Sequence, residues 1–403
     1  MILRNGSEAI KVKGTITNLF SYTYRIKFEG KIIETNNYPL RNLLGEYDVD
    51  AGSFNGKVYI YKSKGENLVG QVVKELTTKM VEMDELNLEL VNLREIGSEF
   101  VQDGNLSYRG LSLLNREGWI IELTQNNDYK TVYEELKEYG GFACTHKVKV
   151  YRKDSRNFNY DEVLSILEHL YSYLAFICGR RIYPSSYKGT KNGNSVFIRY
   201  ESRLIDQWST PNTWYPKIDK EIYEDLFVEF CSIWEDLSWK QSKNVLLGTY
   251  IECFSKATLE NRITSIQIAL EMIARIYLVD YKGELSNKKF KDLYTKDRIR
   301  TTCSYMGILL GESEQYLRRN TRDFSDAIDF FVDVRNSIVH SKRKIDLSHN
   351  NIKYAYYIGL WFLELWFLKI FKYQGKFKNR LSDSKWEGDV ENGGCYYLVP
   401  WRN

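Results

Sequence analysis

The sequence predicts an α+β protein, a β-rich N-terminal region followed by a C-terminal all-α bundle. Three observations predict it. Before residue 150, runs rich in Val, Ile, Tyr and Thr alternate with Gly, Asn and Lys turns, the pattern of strands. After about 220 the apolar residues recur at helical spacing. Between the two, the stretch 180–218 holds three of the chain's five prolines, Pro184, Pro211 and Pro216, a composition that breaks either pattern. With 403 residues the chain exceeds one ordinary core and implies two or three domains. We place the main division at 235/236. Residues 1–235 form an α+β region, strand-rich over 1–150 with a helix and loops over 151–235, and residues 236–403 form a bundle with a polar tail.

Taken in order, "KGTITNLFSYTYRIKF", "GKIIET", "GKVYIYKS", "NLVGQVVKEL" and "LNLELVNL" read as strands, with turns such as "SFNGK" between them. "GWIIELTQ" and "CTHKVKVYR" add two more, and "YKTVYEELKEY" between them is a helix. Residues 159–179 have helical periodicity, an Asp and a Glu in the first turn, and Gly179 at the end. Loops and one short strand, "SVFIRYESR", fill 180–218. Five helices follow: "KEIYEDLFVEFCSIWEDLSW", "VLLGTYIECFSKAT", "ENRITSIQIALEMIARIYLVDY", "SDAIDFFVDVRNSIVH" and "IKYAYYIGLWFLELWFLKIFKY". A weaker sixth lies within 288–320, so this half is expected to be an antiparallel bundle. The last thirty residues are polar and end in "YYLVPWRN", a tail expected to pack back.

Composition excludes several function classes. The formal charge is +4, from 57 basic and 53 acidic side chains, too mild to mark nucleic acid by itself; any such site must be local. The cysteines at 144, 178, 231, 253, 303 and 395 stand singly, without the C-x-x-C spacing of a zinc site or redox motif. No P-loop, nucleophile elbow, H-E-x-x-H or dinucleotide-binding glycine loop is present. The sequence thus points to no metal and no cofactor. The opening "MILRNGSEAIKVKG" lacks an apolar secretory core, so the expected compartment is the reducing cytoplasm. Residues 354–373 are long enough to span a bilayer, but Glu364 would sit near its centre and Lys369 just over a turn beyond. Each would cost a few kcal/mol, so a buried or interface helix is the expected state.

The segment "DVRNSIVHSKRK" (333–344) carries the chemistry. Projected at ~100° per residue, Asp326, Asp329, Asp333, Asn336, Ser337 and His340 fall on one side of its helix. Ala327, Ile328, Phe331, Val332, Val334, Ile338 and Val339 fall on the other, with Phe330 off the pattern. Arg335 lies near the middle of the apolar side, where an unpaired guanidinium is costly and must either snorkel out or find a carboxylate, a phosphate or a subunit boundary. His340 sits ~140° from it on one straight helix. The two converge only if the helix ends near Val339, or at a two-fold axis. Taken alone, a histidine followed by Lys342, Arg343 and Lys344 also suits a helix C-terminus as dipole compensation.

The string Arg335–His340 resembles the R-x(4–6)-H motif of the HEPN superfamily, helical-bundle RNases and nucleotide-binding modules, in the form with a polar residue directly after the arginine. "IALEMIARIYL" is similar to that family's early helix, which often carries an acid; Glu271 stands there, although an i,i+4 ion pair with Arg275 accounts for it equally well. The layout, a β-rich region before the bundle, resembles ApeA-type abortive-infection proteins of bacteria. The motif-level likeness covers roughly 245–375, and for the N-terminal half it is one of arrangement only. The resemblance implies a metal-independent endoribonuclease acting as a homodimer through the motif helix, in anti-phage defence, on RNA such as tRNA, with the N-terminal half sensing a phage-derived trigger. Arg335, Asn336 and His340 would be catalytic, and Lys342, Arg343 and Lys344 would grip the RNA backbone. The rival reading is a non-catalytic HEPN-like module binding a nucleotide or protein, with Arg335 a structural charge. His146 in a strand and His169 in a helix read as structural, and His349, in a loop nine residues after His340, is a minor candidate.

Overall fold

The computed structural model describes residues 1–6, 8–20, 24–35, 43–52, 54–96, 99–103, 106–216, 220–321, 324–340, 345–384 and 394–402. It has a β-rich N-terminal half and a helical C-terminal region, the α+β class the sequence predicts.

The first six strands are β1 (Ile2–Asn5), β2 (Glu8–Phe20), β3 (Tyr24–Thr35), β4 (Gly45–Asp50), β5 (Phe54–Lys64) and β6 (Asn67–Thr78). They pair antiparallel in the order β3-β2-β1-β4-β5-β6, and β3 pairs again with β6, so the sheet closes into a barrel. Alternation builds it: Val58 and Ile60 of β5 point inward while Tyr59 and Tyr61 face out. In β4, Tyr47 and Val49 are buried between exposed Glu46, Asp48 and Asp50. Leu3, Val12, Ile26, Phe28 and Val72 complete a core of side chains rather than a lumen.

The rest of this half contains β7 (Glu85–Val91), β8 (Glu99–Asp103), β9 (Leu106–Arg116), β10 (Trp119–Gln125), α1 (Tyr129–Tyr139), β11 (Cys144–Arg152), α2 (Tyr160–Cys178), β12 (Pro184–Lys191) and β13 (Asn194–Glu201). The strands run β13-β12-β7-β11-β10-β9-β8, and β13 pairs with β6. The first half of β6 thus pairs with β3 through residues 67–71 and its second half with β13 through residues 75–77. The sequence reading placed one strand in 180–218; the structure has two, β12 and β13, joined at Asn192-Gly193. Both turn residues have positive φ, 50° and 78°, as a two-residue hairpin requires.

Contacts divide the chain into two units, 1–174 with 181–210, and 175–180 with 211–403. The last turn of α2 goes with the second unit, and the division falls earlier than 235/236. The second unit contains α3 (Lys220–Glu235), α4 (Leu237–Lys240), α5 (Lys243–Glu252), α6 (Leu259–Arg275) running into a π-helical turn (Ile276–Tyr281), and α7 (Asn287–Asp292). It continues with α8 (Thr295–Met306), α9 (Gly311–Asn320), α10 (Ala327–Val339), α11 (His349–Ile370) and a small hairpin of β14 (Lys376–Lys378) and β15 (Tyr396–Leu398). The weak sixth helix of 288–320 is in fact three, α7 to α9.

The most apolar segment, α11, is the central helix of the unit, packed by α6, α8, α9 and α10. Its Gly359 lies under the ring of Phe331 in α10, where a Cβ would collide. Glu364 is fully buried and meets Arg380 through two hydrogen bonds, Nε to Oε2 and Nη2 to Oε1, both 2.6 Å. That fork explains how α11 carries a carboxylate in its middle; Glu364 in turn pushes the Arg380 guanidinium up, against the effect of burial. No helix among the described residues is long and apolar enough to cross a membrane. The tail packs back as expected, with Leu381, Cys395 and Val399 buried.

Candidate functional site

Helix α10 is anchored at its start and open at its end. Asp326 caps it, accepting from the Asp329 N–H at 2.8 Å. Three aspartates, Asp326, Asp329 and Asp333, run along one side and would repel any anion. They are neutralised from α8: Arg300 reaches Asp326 at 2.8 Å and Asp329 at 2.5 Å. Lys296 reaches Asp333 at 3.1 Å and Asp329 at 3.5 Å. Burial works against the Asp326 carboxylate, but the Asp329 N–H and Arg300 outweigh it and hold the group below its ordinary range. Sequence reasoning missed these two cations; their signal is the four-residue spacing of Lys296 and Arg300, which repeats that of Asp329 and Asp333. The pairing order also shows that α8 and α10 run antiparallel.

The buried face of α10 differs from the projection. Phe330, off the pattern, is 1% exposed. Ser337, assigned to the polar side, is 2% exposed, and its Oγ accepts from the Ile345 N–H at 3.3 Å. Helices α6, α8 and α11 all pack on α10, so a wider arc is covered than one apolar stripe. Toward the C-terminus that cover gives out. Ile338 is half-buried and Val339 is 43% exposed although both continue the apolar side.

Arg335 lies at this boundary and is half-buried, not central to a covered face. Its Nη1 donates to Asn336 Oδ1 at 3.3 Å. Its Nε is buried without a partner, and no carboxylate pairs with it among the described residues. The acid across the bundle that a structural arginine would pair with is therefore not seen among the described residues.

His340 ends the helix. Its backbone turns extended (φ −115°, ψ 146°) while its N–H still donates to the Asn336 carbonyl at 2.9 Å. The helix stops at Val339, the condition under which the ~140° separation no longer holds. The imidazole is exposed. The structure thus brings Arg335 and Asn336 together and ties His340 to them through the backbone. Lys342, Arg343 and Lys344 lie outside the described residues.

Glu271 does not join this group. It accepts from Gln267 Nε2 at 2.8 Å, Thr295 Oγ1 at 3.3 Å and Arg298 Nη1 at 3.5 Å, linking α6 to α8. Its expected partner Arg275 pairs with Asp280 instead, at 3.3 Å, because the π-helical turn brings that carboxylate back alongside. Among the other histidines, His146 is buried against Thr145 and Tyr129, and burial pushes its pKa down to about 3. His169 is buried, and His349 opens α11 rather than lying in a loop. No cluster among the described residues could hold a metal ion. A cleft of about 440 Å³ in the first unit is lined by Glu85, Glu122, Lys149 and Tyr151, but these satisfy one another: Lys149 pairs with Glu85 at 3.1 Å and Tyr151 donates to Glu122 at 2.7 Å.

The end of α10 therefore offers a guanidinium with an unused edge, an amide held to it, and an exposed imidazole, with adjacent acids neutralised. Such a set can bind a phosphate and move a proton. Residues 236–392, which include it, match the YopA C-terminal domain, and residues 78–211 match the YopA central domain. The chain is similar to the SPbeta prophage-derived uncharacterized protein YopA of Bacillus subtilis (strain 168). The two are 29% identical over 398 residues, covering 97% of this chain and 86% of that protein. No solved structure matches.

Proposed function

We propose that the chain is a metal-independent endoribonuclease of HEPN type that acts as a homodimer through the end of α10. The observation that carries this reading is Arg335: a half-buried guanidinium with no acid partner among the described residues, next to an exposed histidine. The half-buried Ile338 and exposed Val339 continue the same helix side and favour a second copy of this helix as its cover.

RNA carries its own nucleophile, so the protein need only move protons and hold charge. His340 takes the proton of the 2′-hydroxyl as that oxygen attacks phosphorus. Arg335 binds the non-bridging oxygens, and Asn336 holds the guanidinium in place. The bond to the 5′-oxygen breaks, and the same histidine of the second copy returns a proton to it, leaving a 2′,3′-cyclic phosphate and a 5′-hydroxyl. Glu271, bound to Arg298, takes no part. We place the reaction in the cytoplasm, in abortive-infection defence with a phage-derived trigger sensed by the N-terminal half. A prophage-derived relative fits a gene that mobile DNA carries against competing phages.

The test uses the purified full chain and its His340→Ala variant with tRNA and other cellular RNAs in EDTA. Cleavage by the wild type that leaves cyclic-phosphate ends and is absent from the variant supports the proposal. Equal cleavage by both removes His340 from it, and no cleavage of any RNA, either by the purified chain alone or with added lysate of phage-infected cells, leaves the non-catalytic binding module as the better reading.

A further inference from the structure

We infer that α7, with the tyrosine that follows it, is a binding strip for single-stranded RNA at the N-terminal end of α8. The inference rests on the ribonuclease reading for its place in a reaction, but not for its physical basis.

Segment 282–294, "KGELSNKKFKDLY", carries four lysines against two acids. Lys288, Lys289 and Lys291 on α7 are exposed, and none has an acid partner among the described residues. This sets them apart from the neighbouring cations of α8, since Lys296, Arg298 and Arg300 all sit in ion pairs. The helix is held firmly enough to act as a platform. Phe290 is buried beneath the Arg298 guanidinium, 4.7 Å from its ring centre. Arg298 also donates from Nε to the Phe290 carbonyl at 3.2 Å and from Nη2 to that of Lys291 at 3.4 Å. Ser286 caps the start. Two residues past the helix, at the N-cap of α8, Tyr294 is 80% exposed.

The strip lies at the N-terminal end of α8, the end that pairs with the C-terminal half of α10. Lys296 sits against Asp333 and Arg300 against Asp326, so the start of α8, which Tyr294 precedes, lies level with the C-terminal half of α10; Arg298, about half a turn round α8 from both Lys296 and Arg300, holds α7 on another side of α8. Along α10, His340 lies only ~10 Å past Asp333 at 1.5 Å per residue. Unpaired lysines next to an exposed aromatic ring suit a flexible polyanion with flat bases: phosphates meet the ammonium groups and a base stacks on the ring. An acidic protein surface would use the lysines but has no use for the tyrosine.

The test measures binding of a fluorescein-labelled oligouridylate to the full chain by anisotropy across a salt series. Lys288→Gln/Lys289→Gln/Lys291→Gln should weaken binding on the order of tenfold and reduce the slope of log K against log salt by about 2. Tyr294→Ala should weaken it about fivefold or more. Unchanged thermal melting of both variants shows that they fold. Wild-type affinity and slope in the lysine variant overturn the inference, as does a wild-type chain that does not bind. Displacement of the RNA by polyglutamate as effectively, per charge, as by unlabelled oligouridylate also overturns it, in favour of an acidic protein partner. Cleavage is scored separately, with and without lysate of phage-infected cells: lysine-dependent binding without cleavage under either condition defeats the ribonuclease reading and leaves the strip standing.

Discussion

Replacing Arg335 by methionine separates a working arginine from a structural one. Methionine keeps the apolar stem that the arginine lays along the helix and removes only the charge. The guanidinium makes one side-chain hydrogen bond, 3.3 Å to Asn336, and no ion pair among the described residues. Its loss should therefore cost no more than about 1 kcal/mol, a shift in Tm under ~4 °C for a domain of roughly this size. A charge that neutralised a buried acid would behave otherwise, costing ~3–5 kcal/mol and roughly 6–20 °C when removed. Cleavage should respond in the opposite sense, falling ~100- to 1,000-fold as expected when a donor to transition-state charge is lost. Far-UV circular dichroism melts and initial cleavage rates on one labelled RNA, measured on the same preparation, give both numbers. A melting point lowered by ~10 °C or more, or a cleavage rate that does not move, refutes the assignment.

The core makes its own demands. Glu364→Gln leaves Arg380 buried without its counter-charge and should cost ~3–5 kcal/mol in urea unfolding, whereas Glu364→Leu with Arg380→Met should recover most of that. Gly359→Ala pushes a methyl into the Phe331 ring and should cost ~1–3 kcal/mol, less in a Phe331→Leu background. His146 is held neutral down to about pH 3 by burial, while in the unfolded chain it protonates near its ordinary pKa of ~6.5. Below that value the unfolded state binds a proton that the fold refuses, so stability falls as pH drops from ~6.5 toward 3. His146→Gln should shrink the difference between urea midpoints measured at about pH 7 and about pH 5.

Local patterns were readable where one face of an element decides its fate. The inward Val58 and Ile60 beside outward Tyr59 and Tyr61 mark β5 without any tertiary knowledge, and the end of α10 at His340 was visible in the loss of apolar periodicity. What the sequence hid depends on partners far along the chain. Barrel closure needs β3 to meet β6, a pairing with no local signature. Helices α7 to α9 are polar and short, so their periodicity is faint. Hairpin β12–β13 did have a signal, Asn192-Gly193, masked by the prolines around it. At the site, Ser337 looked polar by residue type and is buried because its hydroxyl finds the Ile345 amide. Glu271 was read against the nearest cation in sequence, while the π-helical turn had already given Arg275 to Asp280.

The double allegiance of β6 limits how this protein can be cut. The stretch that matches the YopA central domain begins at Thr78, the last residue of that strand. A fragment starting there would lose the partner of β13 and bare the backbone amides and carbonyls of Arg199, Tyr200 and Glu201 to any extended chain nearby. Such an edge invites sheet-to-sheet association. Similarity boundaries and excision points therefore differ in this molecule: a manageable fragment must either keep the barrel whole or carry a substitute strand in place of β6.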